Sequence, residues 1–409
     1  MIGFSLFNTD NCSSDLTREV PSLTTNCFNT AAFKPSCGCT LAISASGAFL
    51  GQGSAVVLNE SQVKTALDLR GIGVATVGSG QGSAFIGSLA GTGTLTNFHP
   101  TSGATLATGL DNSNTTFTGT ITNPFVGGLL SVNKVGTGTF TLGGDSIAAG
   151  GNSPNLGTLN VQVGGVTLGG YGRAAFSTTN VLAGGALVLD SSLVAQNDRL
   201  GGAFLLGSAA VAAPVSLTGN TYGNTTLNVA DSTGLFAGMT VTGPGIASGT
   251  TITSVLGTTI TLSANAATSV AGGTFSFGTA RTLNLAGGTL SVVGNASTAV
   301  VESTGTLGFT AAGSTLTLAA AGTAGIGINA VALSGQNGYS TALIRGDALG
   351  SAVGTANAGS VSVTNALSYP SIAGQANGAL GLTSLSIRPD IIADTSSTGL
   401  GSGFLTQDL

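Results

Sequence analysis

Along most of the chain, apolar residues alternate with small polar ones in short runs, and each run is bounded by glycine or asparagine. The unit appears as GTGTLTN (91–97), GATLATG (103–109), TFTGTITN (116–123), GTGTFTLGG (136–144) and GTLNVQVGG (157–165). It returns as GGALVLD (184–190), TLNLAGGTLSVVG (282–294) and STLTLAAAG (314–322). In TFTL and LNVQV every second side chain falls on one face, the period of a half-buried strand. The flanking glycines and asparagines supply the positive φ that tight corners require. Glycine-led starts such as Gly138 and Gly157, or Gly165 and Gly185, lie about 20 residues apart. A unit of that length predicts stacked coils, each pairing its strands with those of the coils above and below. The expected fold is therefore all-β: a parallel β-helix (β-solenoid).

One stretch departs from the unit. Residues 216–279 are denser in Thr and Val and contain DSTGLFAGM, where Asp231 or Ser232 could cap a single helical turn. MTVTGPGI, TTITSVL and TTITLS then read as antiparallel hairpin strands, so a small antiparallel β module is expected inside the solenoid. The organisation that follows is an irregular N-terminal segment (1–46), solenoid (47–215), inserted module (216–279) and solenoid continuation (280–409). Elsewhere SQVKTALDLR (61–70) reads as the one longer helix candidate.

Composition agrees with strands and narrows the function. Charged residues make up 6% of the chain, against roughly 25% in ordinary domains. Yet 42% of residues are hydrophobic and the mean hydropathy is +0.45, so the chain has the material for a core that disordered chains lack. With 10 Lys and Arg and a net charge of −5, there is no basic stripe for nucleic acid. No window reaches the length of uninterrupted apolar residues that a membrane helix needs. The start, MIGFSLFNTDNCSSDL, lacks the cationic and apolar regions of a signal peptide, so any targeting segment is expected on a longer parent chain. Cys12, Cys27, Cys37 and Cys39 gather near the front without a CxxC pair; disulfides, free thiols and a metal site stay open, and sequence does not choose a pairing.

Candidate chemistry is sparse. The single histidine, His99, precedes Pro100 and reads as a loop residue rather than a catalytic base. Gly144-Asp145-Ser146 has the look of a serine-hydrolase block, but no base or orienting acid stands near, so it reads as a turn after a strand. The 15 acidic residues are scattered; Asp390 with Asp394, Asp190 with Asp198, and Asp145 with Asp190 across coils are the pairs a glycosidase reading would need. No calcium nonapeptide, P-loop or dinucleotide fingerprint occurs. Threonines in TFTL and TITL drift between coils, which argues against the flat threonine ladder of an ice-binding solenoid. Lys134 reads as a solvated corner, with a structural role at the entry of the repeat as the alternative. No catalytic, cofactor-binding or metal-binding residue is assigned, and no cofactor.

LSVNKVGTGTFTLGG (130–144) resembles the autotransporter-associated β-strand repeat, also called the passenger-associated transport repeat. GLDNSNTTFTGTITN (109–123), NVLAGGALVLDSS (180–192), QNDRLGG (196–202) and LNLAGGTLSVVGNAST (283–298) are similar to stretches of large exported proteins of that family. The resemblance spans about residues 90–409, with a gap at the module, which itself is similar to a Thr-rich β segment of assorted secreted bacterial proteins. Two departures stand out. DSIAAGGNSPNLGTLNV (145–161) replaces the usual continuation, and the chain ends GFLTQDL instead of in a barrel strand with a terminal aromatic. The resemblance implies a secreted or surface-displayed passenger region, a fragment of a larger autotransporter-type protein held at the outer membrane through a C-terminal region absent here. The expected function is structural or adhesin-like and non-enzymatic, with the module meeting surface glycans or other cell-surface proteins. The alternatives are a β-helical carbohydrate-active enzyme (a polysaccharide lyase or glycosidase) and a passive stalk aiding export.

Overall fold

The computed structural model describes residues 4–7, 40–45, 56–58, 66–71, 74–77, 82–97, 99–123, 128–147, 156–202 and, with short gaps, 204–363 and 387–406. The four cysteines lie outside the described residues. Among those described, the structure is all-β and built on long parallel sheets, an arrangement consistent with a β-solenoid.

A thirteen-stranded sheet runs from Phe4–Phe7 and Thr40–Ala45 through Thr139–Leu142, Gly164–Leu168, Gly185–Asp190 and Thr289–Val293 to Ile387–Asp394 and Gly403–Thr406. Its inner pairs are parallel, and the two end pairs are antiparallel. A nine-stranded parallel sheet contains Leu130–Lys134, Leu156–Val161, Phe176–Leu182, Thr282–Ala286 and Val300–Ala311. A four-stranded parallel sheet (Val56–Leu58, Val74–Val77, Thr94–Thr96, Thr120–Thr122) accompanies the early coils. Two strands, Phe4–Phe7 and Thr40–Ala45, fall within the segment that sequence left irregular.

The alternation works as a half-buried strand requires. Phe140 and Leu142 are buried, whereas Thr139 and Thr141 stay half-exposed. Register then stacks like on like: Phe140, Val166, Leu187, Leu290, Leu316 and Ile344 form one inward column, each paired with the next. All belong to one continuous hydrophobic cluster, in which each fully buried Leu or Phe contributes about 1.5–3 kcal/mol.

Of the helix expected over 61–70, residues 61–65 lie outside the described residues and the remainder is corrected. Ala66–Gly71 is a strand, parallel to Thr40–Ala45 on one side and Ser88–Gly91 on the other. ALDLR alternates with period two, and two waiting partner strands outweigh the helical propensity of its residues.

Between the coils lies a separate six-stranded antiparallel sheet: Thr240–Thr242, Ser269–Gly278, Val215–Tyr222, Thr226–Val229, Thr259–Leu262 and Ile252–Leu256 in spatial order. It has its own core of Leu227, Met239, Val241, Ile260, Phe275 and Phe277. Its two outer strands meet through Val241 N–H to Thr250 O (2.9 Å) and Ile252 N–H to Met239 O (2.9 Å). At the expected capped turn, Leu235 N–H donates to Ser232 O, and the Ser232 hydroxyl donates to Gly257 O. The parallel sheets ignore this module: Asn180 pairs directly with Asn284, and Leu187 with Leu290.

Candidate functional site

The fold gives the residues singled out by sequence hydrogen-bond partners of their own. His99 Nδ1 accepts the N–H groups of Ser102 (2.8 Å) and Thr101 (3.3 Å), and its own N–H donates to Asn97 Oδ1. These bonds make His99 part of a loop held by Asn97, whose amide also donates to Ser102 O and Gly128 O. Asp145 accepts the Ile147 N–H and pairs with Arg173 at 3.5 Å. Ser146 is buried, its hydroxyl accepting the Ile121 N–H at 2.9 Å, so Gly144-Asp145-Ser146 serves as a turn. Asp190 accepts Ser192 N–H, Asp198 accepts Ser303 N–H, and Asp394 accepts the N–H groups of Ser396 and Gly401. Each of these carboxylates accepts a backbone N–H, Asp198 from a distant strand and the others from their own turns. Among the described residues no group of three or more His, Cys, Asp or Glu could hold a metal ion.

Lys134 corrects a sequence expectation. It is fully buried rather than solvated. Its ammonium donates to Val135 O (2.6 Å), Gly136 O (2.8 Å) and Val163 O (3.4 Å), gathering carbonyls that the corner leaves without strand partners. Room for it comes from Gly109 (φ +105°), where a Cβ would lie 2.1 Å from Val135 O and 2.9 Å from Lys134 Nζ. Burial lowers the Lys134 pKa and the charge of Asp111 opposes that fall. Asp111 is itself partly buried, which would raise its pKa. The hydroxyls of Ser88 and Ser113 and the Ser113 N–H outweigh that effect and hold it below the usual value.

A second buried charge cluster joins the coils on either side of the module. The backbone N–H groups of Arg199 and Leu200 donate to Glu302 Oε2 and Oε1, both at 2.8 Å. The Arg199 guanidinium is spent on Gly172 O, Gly170 O, Val194 O and Ser191 Oγ. Arg281, also buried, donates to Phe176 O (2.8 Å) and Gly201 O (3.3 Å). Burial, aided by the charge of Asp198, pushes the Glu302 carboxyl up to about 8 against the two N–H donors and Arg199. Burial likewise brings Arg281 down to about 9, offset in part by Glu302. Its charges and donors are used internally, which gives the cluster a splicing role.

The outward side of the nine-stranded sheet carries a feature that sequence reading missed. Asn133, Asn160, Asn180 and Asn284 stack in register, each Nδ2 donating to the Oδ1 of the coil before it at 2.8, 2.8 and 3.0 Å. Two residues before these asparagines, Ser131, Thr158, Thr178 and Thr282 form a parallel row, which Thr306 continues on the next strand beside Gly308. Threonine drift along the sequence is therefore absorbed in the corners and does not reach these strands. The overlooked signal was the T-x-N or S-x-N tripeptide in SVNK, TLNV, TTNV and TLNL.

Among the described residues no helix is long and apolar enough to cross a membrane, a statement that does not extend to β-barrels. Comparison of the chain with protein-family models, with curated proteins and with solved structures finds no match in any of the three.

Proposed function

We propose that the chain is a parallel β-helix acting as a non-enzymatic, surface-displayed or secreted passenger region of the autotransporter-associated repeat type. In this reading it is a structural or adhesin-like rod, outside the cell and held at the outer membrane through a further C-terminal region. The observation that carries it is the unbroken parallel register of apolar inward columns across a long insertion, combined with carboxylates committed to backbone contacts. Thirteen strands about 4.8 Å apart make a rod on the order of 60 Å long. The inserted sheet is the element offered to surface glycans or other cell-surface proteins.

Deleting 216–279 tests this. A folded rod with the same β-sheet circular dichroism, an elongated small-angle scattering profile and weakened cell attachment is the expected result. An unfolded product would sink the insertion, and undiminished attachment would remove the module from the contact. A rod that attaches to nothing while still supporting export of a fused cargo would instead favour the passive stalk.

A further inference from the structure

We infer that the Thr/Asn face of the nine-stranded sheet is a docking surface for an extended, uncharged polysaccharide chain lying along the stack of coils. This deepens the reading of the chain as an exposed non-enzymatic rod and rests on it, but assigns the glycan contact to the rod rather than to the module. Asn160 and Asn180 each spend one N–H and one oxygen lone pair on the ladder, and the end residues Asn133 and Asn284 spend only an oxygen lone pair and only an N–H on it, so every ladder amide keeps at least one N–H and one lone pair outside the ladder. Beside them, the hydroxyls of Thr158, Thr178 and Thr282 have no hydrogen-bond partner among the described residues, and all are half-exposed. The array is stiff before anything binds: threonine is restricted at χ1 and the asparagines are locked to one another, so little side-chain entropy is lost on contact.

Charge selects the partner. From Ser131 to Thr306 neither row holds a charged side chain, so nucleic acid, uronates and acidic peptides gain no ion pair here. A neutral polyol finds alternating donors and acceptors that repeat about every 4.8 Å over about 20 Å, in two rows about 6–7 Å apart. The module does not interrupt the array, because Thr178 pairs with Thr282 and Asn180 with Asn284.

The test is retention of the full chain on microcrystalline cellulose and on chitin, with polygalacturonate as the charged comparison. Salt-insensitive binding to a neutral polymer is expected. The double variant T178K/T282K should lose at least tenfold in affinity, and T141K/T167K, on the outward side of the other long sheet, should bind as the unsubstituted chain does. Hydroxyl-radical footprinting of the unsubstituted chain with cellohexaose and with a chitin hexamer covers the case in which T178K/T282K does not fold; protection of 158–160, 178–180 and 282–284 is expected. No retention on either neutral polymer, binding by T178K/T282K equal to the unsubstituted chain, preference for polygalacturonate, or ice shaping in place of glycan binding would each overturn the inference. Loss of binding in the 216–279 deletion with full binding by T178K/T282K would return the contact to the module and leave the passenger reading intact.

Discussion

Glu302 makes the splice across the module sensitive to pH. Its carboxyl is buried, and its pKa rises from the ordinary 4.5 to about 8. Between those values the folded chain keeps a proton that the unfolded chain has released, so folding stability falls as pH rises through the window. A shift of this size corresponds to at most about 5 kcal/mol, of which about 2–3 kcal/mol is lost between pH 5.5 and 7.5. Arg281 adds no slope there, because it is protonated in both states below about 9. Stacked repeats open regionally, so the reporter must be local. Hydrogen exchange at the Arg199 and Leu200 amides, which donate to Glu302, should show protection that falls from pH 5.5 to 7.5 after correction for intrinsic rates. E302Q should be flat over the same range. Protection that is constant or rises in the unsubstituted chain, or an equal slope in E302Q, would refute the reasoning.

Lys134→Met keeps the side-chain length but strands the carbonyls of Val135, Gly136 and Val163. About 2–3 kcal/mol should be lost locally, read as faster exchange at residues 162–165. Gly109→Ala forces a Cβ onto Val135 O at positive φ and should cost more than the about 1–2 kcal/mol of the left-handed conformation alone, measured by denaturant unfolding. N180D removes the donor to Asn160 and should lose about 1–3 kcal/mol at pH 7, with partial recovery below pH 4, where a protonated carboxyl can donate again; thermal melts at the two pH values decide it. Asp111 works in the opposite sense to Glu302: its lowered pKa gives stability that disappears as pH falls below about 4, and D111N should remove that acid-side loss in the same melts.

Strands and their faces were legible because period-two alternation is local: Phe140 and Leu142 announce themselves as inward within four residues. The parallel pairing of successive strands was anticipated by the glycine-led spacing. The Asn row was equally present in SVNK, TLNV, TTNV and TLNL, but it becomes visible only once strands are set in register, since the coil lengths between them differ. Lys134 misled because an isolated charge in a glycine-rich corner reads as solvated, whereas the corner's unpaired carbonyls and the missing Cβ of Gly109 are properties of the assembled coil. The Arg199–Glu302 contact joins residues about a hundred positions apart, so no sequence period could reveal it.

Direct parallel pairing of the strands on either side of the module also sets where tension on the module would enter the long sheets. A pull on the module arrives between Gly202 and Arg281, at a single level of the stack. It acts across the Glu302 contacts to Arg199 and Leu200 and the Arg281 bonds to Gly201 and Phe176. A load on the module would thus meet a few side-chain bonds before it reached the parallel ladders.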